Sequence, residues 1–252
     1  MIKVCIMNKK GGVSKTTTAM NLGADLAKKG NSVLYIDMDS QTNLSTFAQA
    51  DTEGKNILGV LLEQISIDEA IQHTPFGDIV AGAANLSGAD TIITETGKEY
   101  RLQEAIEQME APYDYLIIDT PPSLDVLTIN AMTASDWVII PAQADIFSRD
   151  GFIQLSKAID KTRKYCNPNL KIAGILLTRY SDRNVLSRNF KEVFTDITKK
   201  MNTILFNSSI RECVAIREAQ VVRKSIFDYD KKCNGSKDYS DFVDELLTVI
   251  HK

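Results

Sequence analysis

Short apolar runs recur along this chain, and most of them are separated by longer segments in which apolar residues repeat at helical spacing. A short apolar run bounded by turn residues is typical of a buried strand, whereas the longer periodic segments are typical of amphipathic helices. The predicted strands cover residues 2–7, 32–37, 78–81, 114–119, 136–141, 171–177 and 203–206. This alternation predicts a single-domain, doubly wound α/β fold with a mostly parallel sheet and helices on both faces.

The first predicted strand and the first predicted helix enclose a loop rich in glycine and lysine. Residues 16–29 carry Met20, Leu22 and Leu26 at helix-compatible positions and end at Gly30. The loop before them reads Lys10-Gly11-Gly12-Val13-Ser14-Lys15-Thr16-Thr17. At such a strand-to-helix loop, backbone N–H groups and the helix dipole favour a polyphosphate. We therefore expect these eight residues to form a nucleotide site.

Two residues of the loop have specific expected roles. Lys15 is expected to reach the β- and γ-phosphates and the Thr16 hydroxyl to ligate Mg²⁺, as in the general phosphate-loop pattern. That pattern has glycine at its two outer positions, where this chain has Lys9 and Ser14. A lysine-rich turn that merely caps a helix is the alternative interpretation.

Two later strand ends carry aspartates. The second predicted strand is followed by Asp37 and Asp39, and the fourth ends at Asp119 before two turn-forming prolines. The carboxyl ends of parallel strands meet at one edge of the sheet, where open α/β sheets bind their ligands. Asp39 is therefore a candidate site residue, and Asp119 is a candidate for supporting Mg²⁺ as in a Walker B strand. Taken alone, an acidic turn or a structural aspartate explains each of them equally well.

Length and composition indicate one domain, residues 1–252, because 44% of the residues are hydrophobic and can form a sizeable core. The apolar runs are too short to span a bilayer, and the chain enters its first strand at once. We therefore expect a cytoplasmic protein without an N-terminal helix-turn-helix. The four cysteines show no metal-ligand spacing, and the two histidines no catalytic arrangement.

The loop matches the form K-G-G-x-x-K-[ST], a deviant Walker A motif, and in this the chain resembles the ParA/Soj/MinD family of partitioning ATPases. The resemblance implies a P-loop NTPase fold, ATP and Mg²⁺ as cofactors, and an ATP-dependent homodimer. It also implies that Lys10 reaches across the dimer interface to the other subunit's nucleotide. Asp39 is then the residue that orients or activates the attacking water, and Asp119 holds Mg²⁺ through water or through Thr16. The catalytic residues implied are Lys10, Lys15 and Asp39.

The resemblance extends over essentially the whole chain. The segment at residues 140–143 matches the family's I-P-x-Q pattern, residues 54–82 resemble the small helical excursion of Soj-like proteins, and the similarity continues through residues 210–219. Where family members read D-x-D-P-Q-G-N, this chain departs at Ser40 and Thr42. Ser14 likewise stands where the family usually has glycine. These departures concern the conformation of the loops, whereas the aspartates of the family pattern are present in this chain.

A net charge of −4 provides no global attraction to nucleic acid, so DNA binding requires a local basic surface. Residues 179–224 contain ten basic and five acidic residues, a local balance of about +5. Soj-like relatives bind DNA non-specifically through C-terminal basic residues, and the resemblance favours Arg188, Arg217 and Arg223 for this role. A solvated helical face with local ion pairs is the alternative.

The C-terminal segment, residues 238–252, combines an apolar stripe with an acidic polar face. MinD-like relatives end in a basic amphipathic helix that binds anionic lipid, which an acidic face disfavours. The stripe is therefore predicted to pack in the core, and no membrane partner is expected. The resemblance implies an ATPase, weak until stimulated, that partitions a plasmid, chromosome or mobile element with a ParB-like partner and joins the nucleoid in its ATP state. A MinD-like or cargo-positioning ATPase and a slowly hydrolysing ATP switch are the alternatives.

Overall fold

The computed structural model describes the backbone of residues 1–143, 148–180 and 185–251, and the side chains of residues 1–143, 151–180 and 193–251. Within these residues, eight strands form one sheet. The strands are β1 (Ile2–Ile6), β2 (Val33–Asp37), β3 (Ile71–Thr74), β4 (Gly77–Val80), β5 (Tyr115–Asp119), β6 (Trp137–Ala142), β7 (Lys171–Tyr180) and β8 (Leu205–Arg211). The helices are α1 (Lys15–Lys28), α2 (Asn43–Ala48), α3 (Ile57–Leu61), α4 (Ile67–Ala70), α5 (Ala89–Ile92), α6 (Arg101–Glu107), α7 (Val126–Ala134), α8 (Ser148–Tyr165), α9 (Val185–Met201), α10 (Val214–Val221), α11 (Ile226–Tyr229) and α12 (Asn234–Ile250).

The sheet has the order β3-β4-β2-β5-β1-β6-β7-β8, and its neighbouring strands are parallel except for the pair β3 and β4. Each face is covered by helices. Leu22 of α1 and Leu246 of α12 belong to the core on one face, and Leu102 of α6 and Leu127 of α7 to the core on the other. The structure thus confirms the predicted doubly wound α/β fold.

One edge of the sheet differs from the prediction. Residues 54–82 were expected to form a helical excursion leading into one strand, but after α3 and α4 the chain also forms β3, antiparallel to β4. The strand β3 reads Ile-Gln-His-Thr and is only partly buried, so it lacks the apolar run that identifies the central strands. The Thr74 hydroxyl donates to the carbonyl of Gly77 across the tight turn (2.7 Å). Its antiparallel pairing therefore follows from turn geometry rather than from hydrophobic pattern.

Parallel pairing aligns the carboxyl ends of the three central strands. Asp119 at the end of β5 is in register with Ile6 of β1 and with Asp37 of β2. On the other side of β1, Ile6 is in register with Ile139 of β6. The loops that follow these strands therefore converge at one edge of the sheet, as required for the predicted site.

The apolar stripe of α12 packs in the core as predicted, with Phe242 fully buried. Part of its acidic face also contacts protein. Glu245 accepts hydrogen bonds from the backbone N–H groups of Asn207 and Ser208 (both 2.8 Å), and Asp238 accepts one from that of Arg211 (2.9 Å). These carboxylates cover N–H groups of the edge strand β8. Among the described residues, no helix has both the length and the apolar character needed to cross a bilayer.

Candidate nucleotide-binding site

The glycine- and lysine-rich loop connects the end of β1 to the first residue of α1, Lys15. Ser14 occupies the position before the helix with φ 69°, and Gly12 has φ 75°. The Ser14 side chain makes no capping hydrogen bond. The first N–H groups of α1 thus lack a side-chain acceptor from the capping residue, which is the arrangement that suits an external anion.

Lys15 is buried beside this loop, with 7% of its surface exposed. Its Nζ donates to the backbone carbonyl of Lys10 at 3.3 Å. Burial lowers the pKa of Lys15, while the negative charges of Asp119 and Asp39 oppose that shift. A cation held among backbone dipoles and carboxylates at a helix N-terminus can bind a phosphate without first reorganising.

Side chains from three strand ends hold the loop in place. Asn8 donates to the carbonyl of Pro141 (2.7 Å) and accepts from the backbone N–H of Lys10 (3.0 Å). Gln143 donates to the carbonyl of Gly12 (2.8 Å), and the Thr178 hydroxyl donates to that of Val13 (3.2 Å). The I-P-x-Q segment therefore braces the phosphate loop.

Sequence reasoning missed Asn8 and Thr178 as parts of this site. The available signal was weak: each is a polar residue at the end of an apolar strand, on the edge where ligands bind. Gln143 was singled out only by family resemblance. Its contact with Gly12 joins residues far apart in the chain, so local pattern alone does not reveal it.

Asp119 lies fully buried beneath the loop. Neither of its carboxylate oxygens has a hydrogen-bond partner within the described part of the chain. Burial raises the pKa of Asp119 to about 8; the negative charge of Asp37 adds to the shift, and the Thr16 hydroxyl and the Lys15 ammonium oppose it. A buried carboxylate without a partner is costly, and a cation bound beside it removes that cost.

These groups fit Mg²⁺ bound together with a nucleotide. Mg²⁺ keeps several waters and uses one or two protein oxygens together with phosphate oxygens. Asp119 and Thr16 supply such oxygens, and the described residues contain no cluster of three or more His, Cys, Asp or Glu that would form an all-protein metal site. The chemistry of the donor set thus agrees with the predicted metal residues.

Asp39 lies in a compact turn after β2 and is 8% exposed. Its carboxylate accepts from the backbone N–H of Gln41 (3.0 Å), and its own N–H donates to Asp37 (3.1 Å). Asp37 also accepts from the N–H and the hydroxyl of Ser45 (2.9 and 2.7 Å). Asp37 therefore anchors the turn, whereas Asp39 lines the nucleotide cavity.

Two of the departures from the family pattern share one backbone feature. Thr42, where the family has glycine, precedes α2 with φ 50° and ψ 31°. Ser14, also at a family glycine position, has φ 69° and ψ 30°. Both lie in the left-handed region that glycine adopts without steric penalty and that a β-branched residue rarely adopts. The chain thus carries side chains at two positions whose backbone conformation favours glycine.

A cavity of about 550 Å³ extends from the loop across the site. Its lining includes the loop residues from Gly11 to Thr17 except Val13, then Asp39, Gln41 and Asn43, and on the far side Arg179, Gln220 and Arg223. Gln220 of α10 donates to the Thr17 hydroxyl (2.8 Å). The C-terminal part of the chain thus contributes one wall of the nucleotide cavity.

The three arginines predicted to bind DNA lie in different surroundings. Arg217 is exposed on α10 and pairs with Glu212 at 3.5 Å. Arg223 lines the nucleotide cavity just beyond α10, with φ 54°. Arg188 falls within α9, but its side chain lies outside the described residues. Arg217 thus belongs to α10 and Arg223 lies just beyond it, and of these two only Arg223 lines the cavity.

Comparison with known proteins gives a consistent picture. A family model described as an AAA domain matches residues 1–172. The chain is 39% identical to the chromosome partitioning protein ParA of Caulobacter vibrioides, covering 97% of this chain and 93% of the relative. It is 36% identical to the sporulation initiation inhibitor protein Soj of Bacillus subtilis, covering 96% and 97%.

Solved structures share the fold. A putative plasmid partition protein of Borrelia burgdorferi bound to AMPPNP superposes with a TM-score of 0.84 at 25% identity, covering 98% of each chain. Cobyrinic acid a,c-diamide synthase of Mycobacterium smegmatis, with bound ADP and magnesium, superposes with a TM-score of 0.86 at 29% identity, covering 100% of this chain and 96% of that one. Both neighbours hold an adenine nucleotide or its analogue.

Proposed function

The chain belongs to the family of the ParA and Soj chromosome-partitioning ATPases, and we propose that it is an ATP-dependent dimerising ATPase that binds DNA non-specifically. In this proposal it drives partitioning of a plasmid, chromosome or mobile element together with a ParB-like partner. It associates with the nucleoid in its ATP state. The observation that carries the proposal is the placement of two buried residues at the same sheet edge, below a braced phosphate loop: Lys15, and Asp119, whose carboxylate oxygens have no hydrogen-bond partner among the described residues.

In the proposed site, the first N–H groups of α1 and the Lys15 ammonium bind the phosphates of ATP. Thr16 and Asp119 hold Mg²⁺, which when bound neutralises charge that develops on the phosphates. Asp39, held by the N–H of Gln41, orients the attacking water. The braces from Asn8, Gln143 and Thr178 keep these donors in position before the nucleotide arrives.

Lys10 is proposed to act on the nucleotide of the other subunit, so that ATP joins two monomers face to face. The Asn8 side chain holds the backbone of Lys10 in place, since its Oδ1 accepts a hydrogen bond from the Lys10 N–H. A dimer would also bring two copies of the C-terminal basic residues together, and each phosphate contact adds to a salt-dependent affinity. Hydrolysis, stimulated by DNA and the partner, would then release the DNA.

The test is DNA binding measured with ATP, with ADP and without nucleotide, using a duplex of arbitrary sequence. Wild-type protein is expected to bind DNA only with ATP and to sediment as a dimer in that state. Lys10→Ala is expected to lose both properties while keeping ATP affinity. Lys9→Ala is the matched control, because Lys9 lies next to Lys10 but contacts Gln154 instead. Nucleotide-independent binding, or an unchanged Lys10→Ala, would falsify the dimer mechanism.

A slowly hydrolysing ATP switch is the second candidate function. It is favoured by the side chains of Ser14 and Thr42, which occupy left-handed backbone positions in the loop and beside the Asp39 turn. A side chain at such a position narrows the range of φ and ψ open to the backbone, and so restricts the loop movements that close a site around its substrate. Steady-state phosphate release, with and without DNA and partner, separates the two candidates. A rate that no addition stimulates would favour the switch.

A further inference from the structure

One carboxylate contacts two arginines, of which only one lines the nucleotide cavity. Glu212 lies in the short connection between β8 and α10. Its Oε2 is 3.5 Å from Nε of Arg179, and its Oε1 is 3.5 Å from Nη2 of Arg217. Arg179 lines the nucleotide cavity, whereas Arg217 is exposed on α10 and is not part of the cavity lining. Glu212 therefore lies between the nucleotide site and the outer basic residues.

Both ion pairs of Glu212 are weak enough for another anion to replace the carboxylate. The three side chains are about half exposed, and ion pairs of that kind contribute little to stability. The 3.5 Å separations are longer than those of a strong charge-assisted hydrogen bond. A phosphate group offers an arginine bidentate contacts at least as favourable as those of a carboxylate. An arriving phosphate can thus replace Glu212 at either arginine.

Arg179 has an unusual backbone conformation at the edge of the cavity. Arg179 has φ 50°, a left-handed conformation that is uncommon for a residue with a side chain. The neighbouring residues of β7 are buried, but Arg179 is exposed toward the cavity and Glu212. A residue held in this conformation at the mouth of a ligand cavity is a candidate for a functional role.

We propose that Glu212 is a positioning residue that serves as an internal anion for Arg179 and Arg217. Nucleotide phosphate displaces it from Arg179, and the phosphate backbone of DNA displaces it from Arg217. The part of this inference that concerns DNA and Arg217 rests on the proposed function. Glu212 therefore keeps the affinity of each arginine for phosphate low until a ligand competes for it.

The test uses Glu212→Gln, which keeps the size of the side chain and removes its charge. In the ATP state, its DNA affinity is expected to rise about two- to fivefold, and the slope of log affinity against log salt to steepen by about one. Affinity for ATP is expected to rise about twofold in the absence of DNA. A gain of affinity is not produced by misfolding, so the result is interpretable from one variant.

Glu218→Gln is the matched control. Glu218 lies on α10, the helix that carries Arg217, and is exposed, but it accepts a hydrogen bond from the Tyr229 hydroxyl (3.2 Å) and pairs with neither arginine. Removing the charge of Glu218 changes the net charge near α10 but leaves the ion pairs of Arg179 and Arg217 with Glu212 intact. Equal effects of the two variants on affinity and on salt slope would overturn the proposal.

Double-mutant cycles identify the arginines involved. The gain in DNA affinity from Glu212→Gln is expected to vanish in an Arg217→Ala background, and the gain in ATP affinity in an Arg179→Ala background. Persistence of either gain without its arginine contradicts the inference. If wild-type protein binds no DNA in any nucleotide state, the proposed function fails, while the ATP arm with Arg179→Ala still decides the role of Glu212.

Discussion

Asp37 and Asp119 are register partners on the adjacent strands β2 and β5, yet their surroundings are opposite. Asp37 accepts hydrogen bonds from Asp39 and from the N–H and hydroxyl of Ser45. Asp119 has no hydrogen-bond partner for either oxygen within the residues that the structure describes. Burial raises the pKa of both, to about 6 for Asp37 and about 8 for Asp119. The hydrogen bonds of Asp37 are thus part of the fold, whereas Asp119 fits the proposed role of supporting Mg²⁺.

This contrast predicts opposite effects of one chemical change. Asp119→Asn is expected to stabilise the protein without nucleotide or metal by about 1–2 kcal/mol at pH 8, because it removes a buried charge without a partner. Asp37→Asn is expected to destabilise it by about 1–3 kcal/mol, because an amide N–H₂ would face donors of Ser45. Urea unfolding in EDTA measures both. Effects of the same sign would refute the assignment of roles.

The stabilisation by Asp119→Asn is also expected to depend on pH. The folded-state pKa of Asp119 is about 8, above its ordinary value of 3.8, so between these values the folded protein binds more protons than the unfolded one. The wild-type free energy of unfolding therefore falls as pH rises through this window, and the variant lacks that contribution. The difference between the two proteins should be larger at pH 8 than at pH 5.

With Mg²⁺ and ATP present, the Asp119→Asn variant is expected to be no more stable than the wild-type protein. Ligand binding to the folded state raises wild-type stability, and a variant that holds Mg²⁺ poorly gains less. Melting temperatures with ATP, in Mg²⁺ and in EDTA, measure this gain. A variant that gains as much from Mg²⁺ as wild type would show that Asp119 does not support the metal.

Thr42→Gly is expected to stabilise the protein by about 1 kcal/mol, since a β-branched residue at φ 50° is strained and glycine is not. Part of the gain is offset by the greater freedom of glycine in the unfolded chain. Thr46→Gly, inside α2, is the control and is expected to cost about 0.3 kcal/mol, the difference in helix propensity between the two residues. Chemical denaturation compares them. A loss of stability in both variants would contradict the strain at Thr42.

Ser14→Gly tests the same feature inside the phosphate loop. The Ser14 side chain lines the nucleotide cavity and makes no capping hydrogen bond, so its removal opens space at the helix N-terminus. ATP affinity is expected to increase by about two- to fivefold, because backbone N–H groups can approach the phosphate more closely. Titration with a fluorescent ATP analogue measures the change. Unaltered affinity would show that the serine is accommodated without penalty.

Asn8→Ala is expected to weaken ATP binding by about tenfold, because both of its hydrogen bonds hold the backbone of the loop. It is also expected to lower the free energy of unfolding by about 1–3 kcal/mol. Asn31→Ala separates the two effects, since Asn31 binds the carbonyl of Leu26 at the far end of α1. The control should lose some stability without a comparable loss of ATP affinity.

The sequence alone determined the features that depend on local pattern. Apolar runs located the central strands, and the loop motif located Lys15, Thr16 and the first turn of α1. The strand-end aspartates were found because parallel strands with loops at one edge bring Asp39 and Asp119 near the phosphate loop. These inferences succeed because secondary-structure period and loop chemistry act over short stretches of chain.

Tertiary structure alone decided what depends on contacts between distant residues. It placed Asn8, Gln143 and Thr178 against the loop, and it turned Arg223 toward the nucleotide cavity. It also gave Asp37 and Asp119 different surroundings, since only the folded chain brings Ser45 to Asp37 while no described residue hydrogen-bonds to the Asp119 carboxylate. Hydrogen-bond satisfaction, burial and backbone strain are properties of the packed chain, so no local pattern could reveal them.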